Sequence, residues 1–102
     1  MINKIDNSIP AETYFSAYDT SFVTGDSPAT LDINAVLGKN GTKGHIANEG
    51  SNDLTIKFSN DGAVYGLAYL VSAGDILEFT ELDIDSIEIT WIANTAYKVF
   101  IV

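Results

Sequence analysis

A chain of 102 residues has the length of one domain, and its hydrophobic content of 46% is too high for a disordered segment. Fourteen acidic side chains against five basic ones give a formal charge of −9; all the basic residues are lysine, so the basic patch and arginine forks that grip nucleic-acid phosphates or an anionic membrane are missing. The absence of cysteine excludes disulfides, thiolate metal centres and thiol nucleophiles.

The first 28 residues are polar and carry both prolines, Pro10 and Pro28. They also hold Tyr14, Phe15, Tyr18 and Phe22. This segment reads either as an extended N-terminal arm reaching for a neighbour or as an ordinary first hairpin, with strands near 12–18 and 20–24. The N-terminus lacks the basic start and apolar stretch of a signal peptide, so a protein made and kept in a cytoplasm, or released by lysis, is expected. No apolar run approaches the roughly 20 residues of a membrane helix.

From residue 29 the apolar residues recur with a period of two. Ala29–Leu37 would place Leu31, Ile33, Ala35 and Leu37 on one face of a strand. Asp53–Ser59 does the same with Leu54, Ile56 and Phe58, and 84–92 with Ile87, Ile89 and Trp91. Further strands are expected at 43–48, 64–71, 75–81 and 95–102. Turn residues separate them: Gly38-Lys39-Asn40-Gly41, Glu49 to Asp53, Asn60-Asp61-Gly62 and Ala73-Gly74-Asp75. β-branched and aromatic residues suit a pleated, half-buried surface. The expected fold is therefore all-β, an antiparallel β-sandwich of the jelly-roll kind over 29–102, with residues 1–28 as arm or first hairpin. The core is expected to contain Leu31, Ile33, Leu54, Ile56, Phe58, Ile87, Ile89, Trp91, Tyr97 and Val99. The last strand is apolar on both faces: Tyr97, Val99 and Ile101 on one, Phe100 and Val102 on the other. Such a strand is either central in a sandwich or docked on another subunit.

The residues of chemistry are sparse. His45 is the sole histidine, and no serine lies in a G-x-S-x-G elbow, so a hydrolytic triad has no nucleophile setting. Asp83 and Asp85, spaced i and i+2, are the nearest thing to a glycosidase pair or calcium site, but charges at a strand edge also serve to discourage edge pairing. Gly38, Gly41 and Gly44 are followed by no helix and no Walker lysine, and read as turn glycines. Asn40-Gly41-Thr42 matches a glycosylation acceptor, which carries no weight without a secretory signal. Trp91, Tyr65 and Tyr69 could stack on a sugar ring; Trp91 shares the face of Ile87 and Ile89 and reads as core, and Tyr65, after the Asn60-Asp61-Gly62 turn, is the better candidate for exposure. No catalytic, cofactor-binding or metal-binding residue is assigned, and no enzyme activity is expected.

The order of strands and turns over 29–102 resembles that of small virion proteins of tailed bacteriophages, of the capsid-decoration or auxiliary head type. The residues that carry the resemblance are Gly44-His45-Ile46-Ala47-Asn48-Glu49-Gly50-Ser51, Leu54 to Gly62, Tyr65-Gly66, Ala73 to Leu77, Leu82 to Ile89 and Thr95 to Val99. The resemblance implies a β-sandwich that coats or cements a capsid, without catalytic residues or cofactors, assembled in a host bacterial cytoplasm and located in the virion. Its partner would be the major capsid protein, with no nucleic acid and no membrane involved. Self-association, with a trimer favoured, is expected from the doubly apolar last strand. Interface candidates are Tyr14, Phe15, Tyr18, Phe22, Phe100 and Val102. The alternative is a carbohydrate-binding sandwich of a phage tail or fibre, using Tyr65 or Trp91.

Overall fold

The computed structural model describes residues 14–19 and 27–102, with the backbone alone for 16–19. Within these, eight strands and one short helix form two antiparallel sheets. The strands are β1 (Phe15–Asp19), β2 (Ala29–Asp32), β3 (Gly44–Asn48), β4 (Leu54–Ser59), β5 (Tyr69–Val71), β6 (Ile76–Phe79), β7 (Ser86–Thr90) and β8 (Tyr97–Ile101). One sheet has the order β1-β8-β3-β6 and the other β2-β7-β4-β5. The fold is all-β, a β-sandwich, as the alternation predicts. Among the strands described, only β4 and β5 are both consecutive and paired; the connections after β2, β3, β5, β6 and β7 cross from one sheet to the other.

The inner faces meet in a core dominated by isoleucine. Ile33, Ile46, Leu54, Ile56, Ile84, Ile87, Ile89 and Ile101 are fully buried. The expected core residues all belong to this cluster, with Leu31 and Phe58 partly buried at its margin. Branching at Cβ restricts χ1 and favours the extended backbone, so the residues that fill the core also favour the strands. The last strand alternates strictly, Tyr97, Val99 and Ile101 inward and Lys98 and Phe100 outward. It lies between β1 and β3, a central position, as its apolar character allows.

Two expectations are corrected. Ala29–Leu37 is not one strand: β2 ends at Asp32 and α1 (Ile33–Leu37) follows. The Asp32 carboxylate accepts from the Ala35 amide at 3.0 Å, an N-cap, and Gly38 closes the turn at φ 73° with its amide donating to the Asn34 carbonyl. The amides of Ile33 and Asn34 both donate to the Asp85 carbonyl, at 2.9 and 3.0 Å. Cap residues at both ends thus outweigh an alternation that fits a strand equally well. The second concerns Phe15, offered as an interface residue; the strand expected near 12–18 is itself present, as β1. Residues 15–19 are a sheet strand, paired with β8 from Phe15↔Ile101 to Asp19↔Tyr97. Phe15 is buried in the core, so its side chain is not on the outer surface. The expected strand 20–24 and Phe22 lie outside the described residues, as does the side chain of Tyr18.

The expected strand 64–71 is shorter, Tyr69–Val71. Asp61 is the cause. Its carboxylate accepts from the amides of Ala63 and Val64 at 2.8 and 3.0 Å and from the Ser59 hydroxyl at 3.0 Å. This draws the chain into a loop that returns to β4 through a single bridge, Ser59↔Tyr65, before β5 begins.

Candidate functional site

The outer face of the first sheet carries a row of rings. Phe100 on β8 is in register with His45 on β3, and with Ser16 on β1. The Phe100 ring stacks on Tyr14 at a centroid distance of 5.4 Å and on His45 at 5.9 Å, each with an interplanar angle of 19°. Tyr14 is 49% and Phe100 38% exposed, although the inner face of the same sheet already supplies the core. Beside the row runs an open groove of 370 Å³, lined by Lys43, Gly44, His45, Glu78, Phe79, Thr80, Phe100 and Val102. Three of the sequence-derived interface candidates, Tyr14, Phe100 and Val102, are thus brought to one surface. His45 belongs with them, which sequence reading missed because its partners come from other strands. Aromatic rings with polar rims supply contact area at a low cost in rotamer entropy, a property of protein-binding surfaces.

A second hollow, of 460 Å³ and mixed lining, lies at the β4–β5 connection. Phe58, Ser59, Asn60, Asp61, Val64, Tyr65, Gly66 and Asp83 line it. Tyr65 is half-buried there. Asn40 braces this corner: its amide donates to the Asp83 carboxylate at 2.8 Å and to the Asn60 carbonyl at 3.1 Å, and its oxygen accepts from Asn34 at 2.8 Å. Asp83 and Asp85 precede β7 and are not on it. Asp83 is held by Asn40, while the Asp85 carboxylate accepts from the Ser86 hydroxyl at 2.6 Å. The two carboxylates therefore serve different local partners. No group of three or more ligating side chains able to hold a metal occurs among the described residues. Trp91 is 5% exposed and lies in the core cluster.

The Asp61 carboxyl is held below its ordinary value by the amide of Val64, then that of Ala63, then the Ser59 hydroxyl. A depressed carboxyl stabilises the loop above the unfolded-state pKa and loses that contribution as pH falls through the folded value. Following the Ala63 and Val64 amide resonances during an acid titration is expected to give a shared midpoint below the ordinary 3.8. Asp61→Asn should abolish that transition.

Compared with known proteins, the sequence matches no family model and no curated relative.

Proposed function

We propose that the protein is a structural component of a bacteriophage virion that decorates or cements the capsid by binding the assembled coat. The observation that carries this reading is the Tyr14–Phe100–His45 row, a set of exposed rings on a sheet face that the fold itself does not need. The likeness of strand and turn order to phage decoration proteins supports it. So does the charge of −9, which disfavours the packaged genome as a partner and favours a protein surface. The mechanism is binding alone: the rings seat on the major capsid protein, and repetition over a lattice multiplies weak contacts by avidity. The protein self-associates, acts without a cofactor or turnover, and is carried in the virion.

Co-sedimentation with undecorated capsids tests this. Wild-type protein is expected in the pellet, with little loss on adding salt, because ring contacts are not screened as exposed charges are. Phe100→Lys is expected in the supernatant. Wild-type protein that stays in the supernatant, or Phe100→Lys that pellets equally well, overturns the proposal.

A second reading rests on the hollow at the β4–β5 connection. Tyr65 lines it together with Asn60, Asp61 and Asp83, and an aromatic ring among carboxylates and an amide is a combination suited to a sugar ring with its hydroxyls. Retention on a glycan array that is lost with Tyr65→Ala, together with failure to pellet with capsids, would favour a carbohydrate-binding tail or fibre module.

A further inference from the structure

Among the described residues four strands form the edges of the two sheets, and three of them carry a charge or a flanking proline that opposes pairing with another chain. β1 ends in Asp19, β2 is preceded by Pro28 and ends in Asp32, and β6 carries Glu78 and is preceded by Asp75. β5 carries none. It lies within Gly62–Gly74, the longest stretch of the sequence without a charged side chain. Among the described residues β5 pairs only with β4, through Leu54↔Val71, Thr55↔Leu70 and Ile56↔Tyr69, so its other side is an open row of backbone donors and acceptors. The surface around it is apolar: Val64, Leu67, Tyr69 and Leu70 are 72%, 82%, 48% and 65% exposed. An unfilled hollow of 150 Å³ adjoins it, lined by residues that include Phe58, Leu67, Tyr69 and Leu82.

We propose that β5 pairs with β5 of a second copy of this chain, antiparallel about a twofold axis at Leu70, joining the two β2-β7-β4-β5 sheets into one. The occupant follows from charge. An edge that pairs with itself about a twofold axis sets each side chain opposite a residue of the same strand, so any charge it held would be doubled and repelled. Two chains of −9 each repel over most of their surfaces, and the one uncharged edge is where that repulsion is least. In that register Leu70 faces Leu70 and Tyr69 of each copy faces Val71 of the other, so the pairing covers Leu70, which is 65% exposed in the single chain. The contact is twofold, where the doubly apolar last strand suggested a trimer, because antiparallel edge pairing of identical strands is isologous. It is independent of the capsid reading, which uses the opposite sheet.

Sedimentation velocity and light scattering over a concentration series give the decisive masses. Wild-type protein is expected to move from the 11.0 kDa chain to twice that mass as concentration rises. Leu70→Lys, at an exposed position that leaves the core intact, is expected to remain a monomer with an unchanged circular-dichroism spectrum. Phe100→Lys is expected to dimerise as wild type does while losing capsid binding. Because the chain lacks cysteine, Leu70→Cys supplies a lone thiol and is expected to give a covalent dimer on mild oxidation. A wild-type monomer at millimolar concentration, a Leu70→Lys dimer, a Leu70→Cys variant that does not cross-link, or dissociation by Phe100→Lys overturns the proposal.

Discussion

Asn48→Asp is expected to cost about 5 kcal/mol of unfolding free energy at neutral pH, by urea denaturation against wild type. Asn48 is 2% exposed at the end of β3. Its amide nitrogen donates to the carbonyls of Asn52 at 2.7 Å and Val71 at 2.9 Å. Its amide oxygen accepts from the Gly50 amide at 3.0 Å and lies 3.0 Å from the Thr95 hydroxyl. Its backbone bonds both Gly74 and Asp75. The connections that follow β3, β5 and β7, all crossing between sheets, therefore converge on one residue, through its side chain and its backbone. A carboxylate there loses both donors and sets a buried charge against two carbonyl oxygens, where each buried orphan costs ~1–3 kcal/mol and an uncompensated buried charge ~3–5 kcal/mol. The new carboxyl would have a folded-state pKa raised above the unfolded ~3.9. Its penalty is thus smallest below that pH and grows as pH rises. The gap between variant and wild type is expected to narrow at acid pH; a gap independent of pH would argue against a buried carboxylate as the cause.

Gly44→Ala is expected to cost about 4 kcal/mol or more, enough to put cooperative folding in doubt. Gly44 pairs with both Ile101 on β8 and Phe79 on β6. A Cβ at this position would overlap the Phe100 carbonyl oxygen and lie 2.8 Å from the Ile101 Cα. These are backbone atoms of the central strand, which cannot turn aside as a flexible side chain does. Gly38→Ala makes the contrast. Its Cβ would meet nothing within 4 Å, so only the left-handed φ of 73° opposes it, a cost of ~1–2 kcal/mol. Thermal denaturation of the two variants side by side is expected to show the larger loss by far at Gly44.

Much of the sandwich is legible in the order of residues. Leu54-Thr55-Ile56-Lys57-Phe58-Ser59 and Ser86-Ile87-Glu88-Ile89-Thr90 alternate because one face of each strand is core and the other is not, and those strands lie where the pattern places them. The pattern misleads where local hydrogen bonds compete with the ladder. At Ile33–Leu37 the Asp32 and Gly38 caps win, and at 62–66 the Asp61 carboxylate captures amides that a strand would have used. Phe100 is recognisable in advance because it breaks the polar rule of an outward position. His45 as its neighbour is not, since the β3–β8 register depends on pairing across half the chain. Asn48 is less visible still. In Asn48-Glu49-Gly50-Ser51-Asn52-Asp53 it looks like one loop asparagine among several, and only its meeting with two distant parts of the chain, at Val71 and Thr95, gives it its role.

The scarcity of consecutive strand pairs bears on how such a chain acquires its structure. The β4–β5 hairpin can form early, because its ends are close in sequence. Pairings such as β1 with β8 or β2 with β7 must close long loops before any hydrogen bond repays the lost entropy. Such a topology folds slowly, on the scale of ~milliseconds to seconds. While it does so, the uncharged 62–74 segment is exposed as part of the one hairpin already in place. Association between copies through that hairpin can therefore begin before either sandwich closes, which would couple the yield of native protein to the concentration at which it is synthesised.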